Sequence, residues 1–196
     1  EKTFHTLYRK ELTFYMYLEE DGNRKERKKT PKTLVIMGSD SDYAVMKDCL
    51  ALLKKFGIYY DCFVCSAHRT PEKCRELAKN AKKQGYGCVV AAAGKAAHLP
   101  GVIAAYTTLP VIGVPIQGDA LEGMDALLSI AQMPPGIPVA TVAINGGVNA
   151  AVLAAEILAG KHKFLEDTLK SYKQELAEKV EKKNAQLQEV IENGQL

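Results

Sequence analysis

Two histidines lie near cations and small polar residues in two separate loops of the chain. His68 stands beside Arg69 in the segment Ser66-Ala67-His68-Arg69-Thr70-Pro71, and His98 comes three residues after Lys95. Histidine titrates near neutral pH and can both donate and accept a hydrogen bond, which suits His68 to general acid–base catalysis. For His98 two interpretations stay open: the same chemistry, or a residue at a helix start that backbone carbonyls hold.

A third loop, Gly38-Ser39-Asp40-Ser41-Asp42, offers a glycine, two hydroxyls and free backbone amides, which together suit phosphate oxygens. Its aspartates would repel phosphate, so they are interpreted as acceptors for sugar hydroxyls or, at Asp42, as a helix cap. The loop lacks the further glycines of a dinucleotide fingerprint and the Gly-Lys-Ser/Thr of a P-loop. Because residues 96–160 contain no lysine or arginine, the cation that pairs with a phosphate is expected to be Arg69 or Lys95.

Short apolar runs precede these loops and alternate with helical segments. Continuous apolarity is typical of strands buried on both faces of a parallel sheet, and the alternation is typical of βαβ units. The pattern predicts a three-layer α/β/α fold with a doubly wound parallel sheet of about five strands, plus a C-terminal helix at 163–191. The predicted strands are 34–37, 60–65, 88–92, 110–115 and 139–144, and the helices between them are 43–56, 71–84, 96–106, 121–131 and 148–159.

Ligands bind at the carboxyl ends of the strands in such a sheet, and each of the loops above follows a predicted strand. Local residues support the helix ends. Asp42 and Thr70 are expected to cap the first and second helices, with Pro71 at the first helical position. Gly57 and Gly85 follow the ends of these helices, where a left-handed residue is favoured.

The loop around Lys95 is otherwise made of small residues, Ala93, Gly94, Ala96 and Ala97. Such a surface lets the backbone approach a planar ligand or enclose a very small molecule. The alternative is close packing between helices, which would agree with an extensive subunit interface.

The five cysteines are expected to be reduced core thiols, because their number is odd and they lie in apolar or helical segments. Cys62 and Cys65 form a C-x-x-C inside a predicted strand, without the second pair or histidine of a zinc site. Burial is therefore preferred to redox or metal chemistry for this set, which comprises Cys49, Cys62, Cys65, Cys74 and Cys88.

Composition favours one ordinary globular domain: the chain has 196 residues, of which 47% are hydrophobic and 25% are charged. The net charge of +3 arises entirely from residues 1–33. This extension is interpreted as solvated and poorly ordered, with nucleic acid or an anionic membrane as the alternative partner. The sequence has neither the ~20 apolar residues of a membrane span nor a secretory signal, so we expect a cytoplasmic protein with no nucleic-acid or membrane partner.

Five collinear motifs closely resemble the PurE family of purine biosynthesis over about residues 33–160. They are Met37-Gly38-Ser39-Asp40-Ser41-Asp42, Ser66-Ala67-His68-Arg69-Thr70-Pro71, Ala96-Ala97-His98-Leu99-Pro100-Gly101, Leu109-Pro110-Val111-Ile112-Gly113-Val114-Pro115 and Leu128-Ser129-Ile130-Ala131-Gln132-Met133-Pro134.

The resemblance implies a flavodoxin-like fold and the conversion of N5-carboxyaminoimidazole ribonucleotide to 4-carboxyaminoimidazole ribonucleotide, without a metal or an organic cofactor. The carbamate loses carbon dioxide, and C4 of the imidazole then captures it, with His68 as general acid and then base. The resemblance also implies a homo-octamer and a separate ATP-dependent enzyme that makes the carbamate. The matching substrate-binding positions are Ser39, Asp40, Ser41, Asp42, Ser66, Arg69, Gly94, Lys95, Ala96, His98 and Leu99.

One position departs from the pattern of the family. The mutase branch usually reads Gly-Gly-Ala-Ala-His where this chain has Gly94-Lys95-Ala96-Ala97-His98, and a second branch has Gly-Arg-Ser-Asn there. Direct carboxylation of aminoimidazole ribonucleotide and a non-catalytic ribonucleotide-binding role therefore stay open as alternatives. We expect a charged N-terminal extension at 1–32, a catalytic domain at 33–160 and a C-terminal helical extension at 161–196.

Overall fold

Five parallel strands form one sheet in residues 30–194, the part of the chain that the computed structural model describes. The spatial order of the strands is β2-β1-β3-β4-β5, so the order reverses between β1 and β3. This reversal is the switch point at which doubly wound sheets bind ligands. The strands are β1 (Lys32–Met37), β2 (Tyr59–Val64), β3 (Cys88–Gly94), β4 (Val111–Ile116) and β5 (Ala140–Thr141).

Helices cover both faces of the sheet. One buried cluster packs α1, α5 and the start of α6 on one face, and a second packs α2, α3 and α4 on the other. The predicted three-layer, flavodoxin-like fold with a C-terminal helix is therefore confirmed. The helices are α1 (Tyr43–Lys55), which follows a 3-10 turn at Asp40–Asp42, then α2 (Pro71–Ala81), α3 (Leu99–Tyr106), α4 (Met124–Ala131), α5 (Gly147–Ala159) and α6 (Phe164–Glu192).

Burial on both faces is confirmed for the central strands and is wrong for the edge strands. All residues of β4 are buried, and so are most residues of β1 and β3. At one edge β2 is only half-buried and Val64 is 40% exposed. The other edge strand is much shorter than the predicted 139–144, because only Ala140 and Thr141 pair with β4.

The helix ends agree in part with the predictions. Gly57 and Gly85 have the expected positive φ angles of 71° and 86°, and Pro71 lies in the first turn of α2. The predicted cap at Thr70 is wrong, because its side chain makes no capping bond. Instead, Thr70 Oγ1 accepts a bond from the Ser66 amide at 3.0 Å and donates to the Ser66 carbonyl at 3.1 Å, which closes the preceding loop.

Helix α6 packs on the helical layer formed by α1 and α5 only near its start. Leu165 and Leu169 are buried, and the Tyr172 ring meets Phe56 edge-on with 5.2 Å between ring centroids. The helix therefore docks on the core through this part, whereas apolar side chains further along it are exposed, namely Leu176, Val180, Leu187, Val190 and Ile191.

Among residues 30–194, no helix is both long and apolar enough to cross a membrane. Most of the charged extension predicted at 1–32 falls on residues 1–29, which lie outside the described residues, and Lys32 at its end belongs to β1. The division of the chain at 33 and 160 stays a prediction.

The prediction that all five cysteines are reduced is wrong for two of them. Cys65, directly after β2, forms a disulfide with Cys74 in α2, and their Cα atoms are 5.9 Å apart. The reason is that the turn into α2 brings its first residues back beside the end of β2. Cys49, Cys62 and Cys88 are free, so Cys62 and Cys65 do not pair with each other.

Candidate active site

A pocket of about 360 Å³ opens where the loops after β1, β2, β3 and β4 meet. It lies at the carboxyl ends of the strands and includes both loops that flank the switch point between β1 and β3. The predicted site residues that line it are Ser39, Ser41, Asp42, Ser66, His68, Arg69, Gly94, Lys95, Ala96 and Leu99.

Two of the predicted site residues do not line this pocket. Asp40 is exposed, and its Oδ1 accepts a hydrogen bond from Ser39 Oγ at 3.1 Å. His98 directly precedes α3 and contacts His68 instead. The structure therefore places His98 next to the candidate acid–base residue rather than on the pocket wall.

The loop after β1 is held by a capping box. Ser39 Oγ accepts hydrogen bonds from the Ser41 amide at 3.3 Å and the Ser41 hydroxyl at 2.9 Å. In return, Asp42 Oδ2 accepts the Ser39 amide at 3.0 Å. The prediction that Asp42 is the cap is therefore wrong: Ser39 caps the 3-10 turn, and Asp42 closes the box from its third position.

Asp42 is the buried acidic group of the pocket, with 4% of its surface exposed. Burial raises the pKa of its carboxyl above the usual 3.8, because desolvation of the charge outweighs the hydrogen bonds from the Ser39 and Gly38 amides. A buried carboxylate with open lone pairs toward a pocket is suited to accept bonds from ligand hydroxyls.

Asp42→Asn is expected to raise the melting temperature by a few degrees at pH 7, since it removes a buried charge and keeps an oxygen for the Ser39 amide. The raised pKa of Asp42 means that the folded state binds a proton more readily than the unfolded state, so wild-type stability falls as pH rises above 3.8. The gain should therefore vanish as pH falls toward that value. Thermal melts of both proteins across pH test this.

The matched control for this experiment is Asp48→Asn, at an exposed carboxyl of α1. It is expected to leave the melting temperature within about 1 °C at each pH, because surface substitutions rarely change stability further. A variant at Asp42 that is less stable than wild type at pH 7 would contradict the role of burial.

His68 and His98 form a hydrogen-bonded pair. His68 Nε2 lies 2.9 Å from His98 Nδ1, and the rings meet edge-on with centroids 5.0 Å apart. Such a bond forms when one nitrogen carries hydrogen and the other does not, so the pair holds one proton between the rings. The geometry fixes the orientation of the His68 ring and gives it a neighbour that can exchange a proton with it.

Arg69 and Lys95 are the cations that line the pocket. Neither forms a salt bridge with a described residue, so both charges are available to an anionic ligand. Lys95 adopts a left-handed φ of 55° directly after β3, which ends the strand. Helix α3 starts at Leu99 rather than at the predicted residue 96, with Pro100 in its first turn, where the missing N–H of proline is tolerated. Its stem passes over the loop after β4, where a methyl group added at Gly118 would lie 3.6 Å from Lys95 Cγ.

Small size is favoured at Gly94, where an added Cβ would lie 3.2 Å from the Ile116 carbonyl oxygen, a tight contact with backbone. The small residues after β3 therefore allow this loop and the end of β4 to approach closely. Among residues 30–194, no group of three or more His, Cys, Asp or Glu side chains could hold a metal ion.

The predicted site omitted the loop after β4. Gln117 lines the pocket, and its side-chain oxygen accepts a bond from Asn145 Nδ2 at 3.0 Å while Asn145 Oδ1 accepts the Gln117 amide at 2.9 Å. The sequence carried a signal for both residues, because they are polar and lie close after the ends of the predicted strands 110–115 and 139–144. The pocket is also lined by Gly38, Ala67 and Ala93, which belong to the predicted loops, and by Ile116 and Gly118 on either side of Gln117.

A family model described as AIR carboxylase matches residues 32–179. This chain belongs to the AIR carboxylase family. The matched span contains every strand of the sheet and every loop that lines the pocket. The family therefore accounts for the architecture of the site, and the predicted resemblance is confirmed.

Several relatives with the mutase name match the chain over most of their length. An N5-carboxyaminoimidazole ribonucleotide mutase of Pyrococcus horikoshii is 52% identical over 160 residues, which is 82% of this chain and 90% of that protein. The Thermotoga maritima protein of the same name is 49% identical over 82% of this chain and 94% of its own. The crystal structure of Treponema denticola PurE superimposes with a TM-score of 0.73 at 31% identity and covers 80% of this chain and 98% of that one.

Proposed function

We propose that this chain is a mutase that converts N5-carboxyaminoimidazole ribonucleotide to 4-carboxyaminoimidazole ribonucleotide in purine biosynthesis. The observation that carries the proposal is the geometry of the pocket, where His68 and Arg69 on one loop face the same cavity as the capped loop after β1. Relatives that carry the mutase name are about half identical in sequence over most of the chain, which supports the same reaction here.

The phosphate of the substrate binds the amides and hydroxyls of the loop at 38–42, with the free Arg69 guanidinium as its counter-charge. Ser41 Oγ donates to Ser39 Oγ, and Ser39 Oγ donates to Asp40 Oδ1; phosphate oxygens take over these hydroxyl donors on binding. Asp42 accepts bonds from the ribose hydroxyls. The small residues after β3 enclose the imidazole ring and carbon dioxide.

His68 moves the protons in both steps. As an imidazolium it protonates the carbamate nitrogen, the N–C bond breaks, and carbon dioxide and aminoimidazole ribonucleotide remain in the pocket. C4 of the imidazole then attacks carbon dioxide, and the neutral His68 removes the proton from C4. One residue serves both steps because the acid spent in the first is the base that the second requires. His98 orients the His68 ring through the bond at 2.9 Å.

The source of carbon tests this proposal most directly. The purified protein is mixed with the carbamate substrate in buffer that contains carbon-13 bicarbonate, and the product is analysed by mass spectrometry. The expected product forms quickly and keeps the unlabelled carbon of the carbamate. No conversion of the carbamate, together with labelled product from aminoimidazole ribonucleotide and bicarbonate, would contradict the mutase.

Direct carboxylation of aminoimidazole ribonucleotide is the second candidate, because some relatives bear the matching name. The phosphoribosylaminoimidazole carboxylase of Candida albicans is 56% identical over 131 residues, although the match covers only 23% of that protein. Lys95, a free cation beside the small-residue loop, would suit the capture of carbon dioxide from solution. The labelling experiment separates the two reactions, since only the carboxylase incorporates the label rapidly.

The proposal extends to a homo-octamer that works in the cytoplasm beside a separate ATP-dependent enzyme that makes the carbamate. Leu121, Met124 and Leu128 support an assembly, since they form an apolar surface at and before α4 with 60%, 48% and 50% exposure. Light scattering is expected to give eight times the mass of one chain, and a monomer in solution would contradict this assembly.

A further inference from the structure

The disulfide between Cys65 and Cys74 joins the two ends of the loop that carries His68 and Arg69. Cys65 directly follows β2, and Cys74 is the fourth residue of α2, with a sequence separation of 9. The residues between them include the candidate acid–base group and one of the two cations of the pocket. The covalent bond therefore spans the part of the site that would perform the chemistry.

Both ends of this loop are also tied to regular structure. The Cys65 amide donates to the Met37 carbonyl at 2.8 Å, which extends the pairing of β2 with β1, and the Cys74 amide donates to the Thr70 carbonyl at 3.2 Å. The two cysteines are 1% and 0% exposed. The disulfide thus links the end of the sheet to the first turns of α2 inside the protein.

The functional side chains themselves have little packing of their own. His68 and Arg69 are exposed, and His98 is the residue that holds the His68 ring. Their positions consequently depend on the backbone of the loop, which is shaped by the Thr70 bonds to Ser66 and by the Arg69 amide bond to Ser66 Oγ at 3.2 Å. A cross-link between the loop ends restricts the backbone conformations that remain.

We propose that the Cys65–Cys74 disulfide is a positioning element of the active site, which holds the His68 loop at the pocket in the geometry that proton transfer requires. The chemical consequence rests on the proposed mutase function, whereas the positioning of the loop does not. Because both sulfurs are buried, a thiolate reaches them only after the loop opens, so the bond exchanges slowly and does not act as a rapid switch.

The first test asks whether the active enzyme contains the bond. The protein is purified without reductant, unfolded in the presence of an alkylating reagent and analysed by peptide mass spectrometry. Alkylation of Cys49, Cys62 and Cys88, with Cys65 and Cys74 recovered as one linked peptide, is the expected result. Five alkylated cysteines in a fully active preparation would overturn the proposal.

The second test removes the bond through Cys65→Ala, Cys74→Ala and the double variant, with Cys49→Ala as the control for loss of a buried free thiol. Each of the three variants is expected to lose about 10–100-fold in kcat at a temperature where it is folded, because small misplacement of a catalytic group is costly. The melting temperature should fall by roughly 5–10 °C, given the size of the closed loop.

The pattern among these variants separates a cross-link from two independent packing sites. Loss of either cysteine breaks the same bond, so the single and double variants should lose the same amount of kcat and of melting temperature. The Cys49→Ala control is expected to keep kcat within twofold. Additive losses of the single variants, or an unchanged kcat in the double variant, would overturn the proposal.

Amide hydrogen exchange tests the positioning of the loop independently of the mutase reaction. Amides at 66–73 should exchange at least tenfold faster in the double variant than in wild type, whereas amides of β3 should not change. The faster exchange is expected even if the protein lacks mutase activity. A negative result in the mutase assay would therefore contradict only the proposed function. Equal exchange at 66–73 in both proteins would overturn the positioning role.

If the variants do not fold, reduction of the wild-type protein tests whether activity depends on the disulfide. A dithiol such as dithiothreitol attacks the disulfide through a mixed disulfide and closes to its own cyclic disulfide, leaving two protein thiols. Activity is expected to fall at the rate at which Cys65 and Cys74 become alkylatable, and to return on reoxidation with oxidised glutathione. Full activity after both thiols have appeared would overturn the proposal.

Discussion

Replacement of His68 by asparagine is expected to lower kcat by roughly 10²–10⁴-fold, the range typical of a lost general acid–base group. Asparagine keeps a polar side chain of similar reach that can still bond to His98, but it cannot accept and return a proton at neutral pH. Because the phosphate and ribose contacts lie on other residues, binding of 4-carboxyaminoimidazole ribonucleotide should stay within a fewfold of wild type. Steady-state kinetics and titration calorimetry measure the two quantities separately.

The control for this variant is His162→Asn, a histidine that precedes α6 and does not line the pocket. It should keep wild-type kinetics. His98→Asn is expected to show a smaller loss of kcat than the His68 variant, since His98 orients the ring without touching the reacting atoms. An unchanged kcat in the His68 variant would remove the catalytic assignment and would favour a ribonucleotide-binding protein without activity.

The layered fold could be predicted because the central strands are buried on both faces. This burial requires apolar residues at every position, which gives continuous apolar runs such as 34–37 and 88–92. The charged loops begin where these strands end. The edge strands carried a weaker signal. The run at 139–144 is as apolar as the others, yet only Ala140 and Thr141 pair with another strand. An edge strand has a neighbour on one side only, which here is β4, so the pairing is shorter.

Contacts between side chains from different elements could not be predicted in the same way. The Cys65–Cys74 bond depends on the direction in which α2 leaves the loop, and the proximity of His68 to His98 depends on the packing of the loops after β2 and β3. An odd cysteine count argued against disulfides, but it excludes only the complete pairing of all five thiols.

The wrong predictions of helix caps arise because neighbouring side chains compete for the same hydrogen bonds. Asp42 and Ser39 both have side chains that can cap a helix. Because a 3-10 turn precedes α1, Ser39 occupies the cap position of that turn. Thr70 precedes Pro71 as a capping residue should, but its hydroxyl lies close to Ser66 and bonds there. Sequence spacing identifies the candidates for such bonds, and the three-dimensional path of the loop selects among them.

Arg69→Ala is expected to raise KM by roughly 10–100-fold and to change kcat much less. A charge-assisted bond to phosphate is worth about 1.5–3 kcal/mol, and the phosphate does not react, so it is bound equally in the ground state and the transition state. The KM of wild type should also rise with ionic strength more steeply than that of the variant, because the lost contact is between opposite charges. Initial rates at several salt concentrations measure both effects.

Two matched substitutions test whether Arg69 is the cation that binds the phosphate. Arg75→Ala removes an arginine of the same region that pairs with Glu72 at 2.6 Å and does not line the pocket, so KM should not change. Lys95→Met removes the other cation of the pocket. A larger increase in KM for Lys95→Met than for Arg69→Ala would mean that phosphate binds beside β3 rather than at the capped loop after β1. The ring and the carbon to be transferred would then lie at the opposite side of the pocket, and Asp42 could no longer bind the ribose.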